Sequence, residues 1–307
     1  MVEQVSAALE REGYKSRCVS VAHVEDLRKE LEGHYEEGRM SDEIHEMLLR
    51  YLRFGIPNEL PDAKSIFVVS AQSPRTVFYV NWRGRRLPVQ VPPTYADQDA
   101  MIRRSLEIIR ETLKPAGYTA VNARLPVKAL AVHSGLARYG KNNITYVAGW
   151  GSYQRLAAFF SDVPCEADNW SELRMMDRCD SCTACEKACP TGAIHRDWVV
   201  VRAERCLCHL NEGPREFPDW VDPAWHDSII GCLHCQKVCP ENASVLHKVV
   251  EGPEFISEQT AEILKARSAD DISPATLEKL RTMGLHYYTH AIARNLRVLV
   301  EQTNAAE

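Results

Sequence analysis

The sequence predicts an α+β chain in three parts: a mixed α/β domain over 1–170, a cysteine-dense module over 171–250 and a short helical segment over 251–307. Three observations predict it. Short β-branched runs alternate with helical periodicity between about residues 60 and 165. Cysteines crowd into two runs, "CDSCTACEKACP" and "CLHCQKVCP". Helical start and stop signals then resume beyond about residue 252.

The elements follow in order. "SDEIHEMLLRYLRFG" has Ser41 placed to cap a helix, Asp42 and Glu43 to suit its dipole and Gly55 to stop it. "SIFVVSA" at 65–71 is an apolar, β-branched run expected as a buried strand. "RTVFYVNWRGRRLPVQVPPTY" carries three prolines and is expected as a loop or flap. From Asp97 the helical period returns through Ile102, Leu106, Ile109 and Leu113, until Pro115 and Gly117 stop it. "YTAVNA", "ITYVA" and "SYQRLAAFFSD" suggest strands, and "VKALAVHSG" a helix ending near Gly135. Near the end, Ser273–Pro274 starts a helix and Gly284 stops one.

Composition bounds the function. The 307 residues are 45% hydrophobic and 26% charged, an ordinary globular balance. No apolar run is long enough to span a bilayer, and the first residues lack a signal-peptide pattern, so a cytoplasmic protein with no membrane partner is expected. A formal charge of −5 argues against bulk attraction to nucleic acid. "WRGRR" at 82–86 is the one dense basic stretch, and reads as a solvated loop.

In a reducing compartment, clustered thiols are metal ligands more often than disulfides. The first run is Cys179-x2-Cys182-x2-Cys185-x3-Cys189-Pro190, the bacterial ferredoxin spacing. Three thiolates spaced two residues apart wrap one face of a [4Fe–4S] cube, and the fourth ligates a second cube. The second run supplies Cys232, Cys235 and Cys239-Pro240, with Ile229 where Cys179 would recur. Two cubanes need eight thiolates, and these runs hold seven. Cys206 in "ERCLCHLNE" is the best eighth, and Cys208 is its competitor. The crossing rule assigns Cys179, Cys182, Cys185 and Cys239 to cluster one, and Cys189, Cys206, Cys232 and Cys235 to cluster two. Cys18 and Cys165 lie outside the pattern and read as plain thiols.

"GLARYGKN" at 135–142 matches the start of a phosphate-binding P-loop, but Asn142 stands where Ser or Thr would hold magnesium, and a helix precedes it. The stretches "LPVKALAVHSGLARYGKNNI" and "GSYQRLAAFFSDVP", followed by the double-cluster module, resemble epoxyqueuosine reductases and their paralogues, and more distantly reductive dehalogenases. The resemblance implies an α/β cobalamin-type domain, two [4Fe–4S] clusters delivering electrons to the cobalt, and Gly140, Lys141, Asn142 and Ser152 near the corrinoid. Glycine there would allow close backbone approach to a flat ligand, and Lys141 would offer a cation to its anionic tail.

Two departures mark the chain off from the tRNA enzyme. That family carries an aspartate shortly before the glycine–lysine segment, whereas "TAVNARLPVK" at 119–128 has no acidic residue, Asn122 being the nearest polar candidate. Residues 251–307 hold six Lys/Arg against nine Asp/Glu, a net of −3 where a tRNA-binding face should be basic. His133, His195, His209 and His234 read as structural or surface histidines. Tyr79, Tyr95 and Tyr139 stand as unranked proton donors.

The sequence-based expectation is therefore a cobalamin-dependent reductase acting on a small-molecule substrate, fed by a low-potential donor such as ferredoxin or flavodoxin. The alternatives are a corrinoid-free electron-transfer protein and an epoxyqueuosine-tRNA reductase.

Overall fold

In the computed structural model, which describes residues 1–96, 98–195 and 199–305, the chain forms two compact units interleaved in sequence. The first takes residues 1–72, 99–183 and 195–202, and the second 73–98, 184–194 and 203–307. The expected division at 170 and 250 follows chemistry along the chain, and these units cut across it.

The first unit opens with α1 (Val2–Arg11), β1 (Lys15–Ser20), α2 (Val24–Glu36) and α3 (Asp42–Tyr51). Ser41 is at the N-cap of α3, but its side chain makes no cap bond and its hydroxyl is buried without a partner. The helix stops at Tyr51 because Leu52 turns extended, so Gly55 is not its terminator. The strand expected over 65–71 is β2 (Ser65–Gln72), buried at seven successive positions.

That run is apolar on both faces because both faces are covered. Ile66 and Val68 point into one core with Val24 and Leu27 of α2, while Phe67 and Val69 point into another with Val5 and Leu9 of α1. Burying a side chain of this size is worth about 1.5–3 kcal/mol.

The chain leaves this unit at Ser73 for β3 (Arg75–Trp82) and β4 (Arg85–Val91) of the second, then returns. Asp97, the expected first residue of the next helical stretch, lies outside the described residues. The helix is α4 (Gln98–Leu113), followed by β5 (Ala120–Asn122), α5 (Val127–His133), the small hairpin of β6 (Arg138–Tyr139) and β7 (Thr145–Tyr146), and β8 (Gln154–Ser161). The sheet order is β1-β2-β8-β5, and every pairing is antiparallel. Alternating helices and strands had suggested an α/β domain without fixing strand direction, and both partners of β2 run antiparallel to it.

In the second unit, residues 75–91 are a hairpin and not a loop. Thr76, Phe78 and Val80 are buried between partly exposed neighbours, the two-residue alternation of a half-buried strand. Pro88 is tolerated because β4 is an edge strand.

The short helices α6 (Ala184–Ala188), α7 (Leu207–Glu212) and α8 (His234–Lys237) carry cysteines or border them. A strand that periodicity did not reveal, β9 (Val249–Phe255), pairs parallel to β3. Then come α9 (Ser257–Lys265), α10 (Pro274–Arg281) and α11 (Thr289–Ala305). Ser273 caps α10 as expected, accepting the Thr276 N–H, and Gly284 ends that stretch at φ 71°. The helices cover one face of the sheet, with Phe78, Val89 and Phe255 meeting Ile263, Leu280 and Leu296.

Candidate iron–sulfur centre

Within the second unit, four expected ligands come from three segments. Cys189 follows α6, Cys206 occupies the N-cap of α7, and Cys232 and Cys235 flank the start of α8, which packs against α6. These thiols lie within electrostatic reach of one another. Burial raises Cys206 above the ordinary thiol range, with Cys189 adding to the rise, while the N–H groups of Cys208 and His209 donate to its sulfur and oppose it. Burial likewise raises Cys232, reinforced by Asp227, Cys235 and Cys206, and the His234 N–H donates to it. Thiols within mutual electrostatic reach resist common deprotonation unless a cation lies among them. The set therefore fits an iron–sulfur cluster, with amide N–H groups already directed at two of its sulfurs.

Cys208 is held differently. Its sulfur lies 3.2 Å from the Tyr95 hydroxyl and donates to the Glu212 carboxylate at 3.3 Å, and Tyr95 also donates to Glu212. Burial, then Glu212, pushes the Cys208 thiol well up. The Tyr95 ring lies against Gly231, where an added Cβ would come within 2.6 Å of its hydroxyl.

Ile229, at the position where a ligand would recur, is core. It is 1% exposed, and its N–H donates to the Gln90 carbonyl at 3.1 Å. The loop leading to Cys232 is set by Asp227, whose carboxylate accepts from the Leu233 N–H and from the Lys237 ammonium at 2.8 Å. Asp227, Cys232 and His234 offer ligand atoms within 4.8 Å of one another, but Asp227 is bound by Lys237, and His234 Nε2 lies 2.8 Å from the Trp225 carbonyl. They support the loop and are not a separate site.

From α11, Asn295 reaches the carbonyls of Asn211 and Ile229. Its neighbour Arg294, stacked on Phe217 at 3.9 Å, donates to Leu210 and Arg215. Sequence reasoning missed Tyr95–Glu212, Asp227 and this pair, because their partners are remote in the chain.

In the first unit, Cys179 and Cys182 sit on a loop that runs beside the glycine–lysine segment. The Met176 N–H donates to the Tyr139 carbonyl and the Tyr139 N–H to the Arg174 carbonyl along it, and Lys141 Nζ donates to the Cys182 carbonyl at 3.0 Å. The residues implied as corrinoid contacts are turned inward. Lys141 is 8% exposed, Asn142 donates to the Tyr146 hydroxyl, and Ser152 is fully buried. A Cβ on Gly140 would meet the side chains of Asn142 and Tyr146 at 2.6 Å, so its bare backbone serves the chain's own packing. Lys141 and Asn142 are engaged by the chain's own atoms and Ser152 is buried, so none of these contacts marks a corrinoid site. The P-loop match is likewise a helix-to-hairpin passage, without a helix N-terminus after it.

The remaining candidates are occupied. His133 bonds Glu30 at 2.7 Å and the Ser171 carbonyl at 2.6 Å, and stacks on Trp170. Tyr79 lies under the Arg86 guanidinium at 3.2 Å, and Tyr139 is a core residue raised by burial. Asn122 is exposed at the end of β5. Cys18 and Cys165 lie 3.9 Å apart, away from the ligand runs in sequence.

These cysteine-bearing loops define an iron–sulfur protein of the double-cluster type, and residues 178–242 match the 4Fe-4S double cluster binding domain. The epoxyqueuosine reductase of Bacillus subtilis is 28% identical over 162 residues, 50% of this chain and 41% of that protein. The matched stretch thus spans less than half of that relative. The fold aligns with epoxyqueuosine reductase from Streptococcus thermophilus at a TM-score of 0.68 and 17% identity, covering 98% of this chain and 81% of that one. An epoxyqueuosine reductase solved with an epoxyqueuosine-modified tRNA-Tyr stem loop aligns at 0.67 and 21% identity, covering 97% and 80%. Likeness to a catabolic reductive dehalogenase is looser, at 0.39, and carries no weight for cofactor or substrate. The chain is thus similar to epoxyqueuosine reductases in part of its sequence and in fold, and carries a 4Fe-4S double-cluster domain in a mixed α+β fold. Among the described residues, no helix is long and apolar enough to cross a membrane.

Proposed function

We propose that this protein is a two-cluster reductase of the epoxyqueuosine type, which takes single electrons from a low-potential donor such as ferredoxin or flavodoxin and uses them to deoxygenate an epoxide on a modified tRNA nucleoside. The observation that carries the reading is the eight-cysteine set on a chain whose fold matches those reductases over 98% of its length. Cys206 is the eighth ligand in this reading, since its sulfur receives two amides while that of Cys208 is engaged by Tyr95 and Glu212.

Converting an epoxide to an alkene takes two electrons and two protons, and the oxygen leaves as water. Two cubanes, each cycling by one electron, can store that pair. The thiolates bind the clusters, the amides of Cys208, His209 and His234 support their sulfurs, and the apolar core around Ile229 keeps water from one side. No step is routed through cobalamin.

One observation favours a second reading, electron transfer alone: residues 119–128 contain no carboxylic acid to protonate a substrate. Anaerobic turnover separates the two. The cluster-loaded protein, with a chemical reductant and an epoxyqueuosine-modified stem loop, with and without added cobalamin, should convert the nucleoside to the product lacking one oxygen. Reversible reduction of both clusters with no conversion in either arm would leave the electron carrier.

A further inference from the structure

Cys18 and Cys165 stand outside the ligand runs, yet the first unit brings their sulfurs to 3.9 Å across 147 positions of sequence. Cys18 is 1% exposed on the edge strand β1, and Cys165 is half-buried on the loop that follows β8. The loop is fixed to the strand by other bonds. Asn169 Nδ2 donates to the Cys18 carbonyl at 3.1 Å, and the Asp168 carboxylate accepts the Ser20 N–H at 3.2 Å. The sulfurs thus meet from two anchored segments, and closing to the about 2.0 Å of an S–S bond calls for side-chain adjustment in a loop already docked. Asp168 is also held by His23 Nε2 at 2.8 Å, which leaves the two sulfurs to each other.

The contact has a direction. The Cys18 S–H donates to the Cys165 sulfur, and the Cys165 S–H donates to the Ala167 carbonyl at 3.6 Å. Burial raises both thiols, while the bond between them adds to the rise at Cys18 and opposes it at Cys165. Cys165 is therefore the one that a small oxidant reaches and the one that deprotonates more readily.

We propose that Cys18 and Cys165 form a redox-active dithiol, which hydrogen peroxide converts to a disulfide through a sulfenic acid on Cys165. The Cys165 sulfur attacks a peroxide oxygen. An S–O bond forms, the O–O bond breaks, and one water leaves with the thiol's proton. The Cys18 sulfur then attacks that of Cys165. The S–S bond forms, the S–O bond breaks, and the hydroxyl leaves with the Cys18 proton as a second water. The two thiols give up two electrons, and one peroxide becomes two waters. The bond locks onto β1 the loop whose next residues, Trp170 and Ser171, contact His133. A thiol reductant reopens it.

The test exposes the anaerobically purified, cluster-loaded protein to hydrogen peroxide, unfolds it in N-ethylmaleimide and maps its peptides without reduction. Trypsin places Cys18 in peptide 18–28 and Cys165 in peptide 156–174, and neither contains a ligand cysteine. The two peptides should appear joined and lighter by two hydrogens, and dithiothreitol should separate them. Cys18→Ala, which keeps a small apolar side chain in the core, should strand the sulfenic acid, so that dimedone labels peptide 156–174. Cys165→Ala should leave peptide 18–28 unlabelled. The wild-type map needs no variant, so it decides even where a variant fails to fold. Peptides that stay apart, or that pair with ligand cysteines in preference to each other, would overturn the proposal. Dimedone on Cys18 in folded Cys165→Ala would overturn the order of the two steps.

Discussion

The side-chain amide of Asn295 donates to the backbone carbonyl of Asn211 at 2.9 Å, and the same nitrogen donates to Ile229 at 2.8 Å. One residue of α11 thereby ties the segment that follows Cys206 to the segment that leads into Cys232. Asn211 completes the brace by donating to the Gly231 carbonyl at 2.6 Å. The C-terminal helix thus shapes a cluster loop although it carries no cysteine.

Asn295→Leu removes the side-chain donor to the Ile229 carbonyl and leaves the Asn211 carbonyl with Arg294 alone, and should destabilise the protein by about 1–3 kcal/mol. Asn295→Asp should do no better, because a carboxylate cannot donate to a carbonyl. Chemical denaturation measures the loss, and iron content should fall with it.

Gly231 has φ 64° and lies against Tyr95. Gly231→Ala adds roughly 1–2 kcal/mol of left-handed backbone strain and a clash immediately before Cys232. The protein should retain about four irons of the eight that two cubanes contain, and Tyr95→Leu should partly restore the loss.

Cys206→Ser and Cys208→Ser should separate in the same assay. The first should lose one cluster, the second should keep both, and circular dichroism should show both folded.

His133 lies between the Glu30 carboxylate and the Ser171 carbonyl, two acceptors that both require a ring N–H. Burial pulls its pKa down, but these partners outweigh it and leave the pKa raised. A raised folded-state pKa gives stability that is fully present below the unfolded value of about 6.5 and is lost as pH rises through the folded value. Unfolding free energy should therefore fall as pH rises from 6 to 9, and His133→Gln should flatten that fall.

Much of the site was legible because cubane ligation is local. The spacing around Cys179 and Cys232 writes the cluster into a few residues, and β2 announced itself because Ser65–Ala71 is buried throughout. The hairpin of β3 and β4 was hidden by its prolines, which signal breaks unless one knows that Pro88 sits on an edge strand. β9 was hidden by Gly252 and Pro253 and by the exposure of Val249 and Val250. Neither the antiparallel partners of β2 nor the reach of Asn295 across 84 positions leaves a local pattern to read. Lys141 was noticed in sequence for its charge, but only the fold shows that it turns toward Cys182.

The most direct test of the central claim is anaerobic iron and sulfide analysis of the purified protein, combined with EPR spin counting after full reduction. Two [4Fe–4S] clusters predict about eight irons, about eight sulfides and two reducible centres per chain. Zinc in the cysteine sites, or iron for a single cubane in a fully folded wild-type protein, would contradict the account.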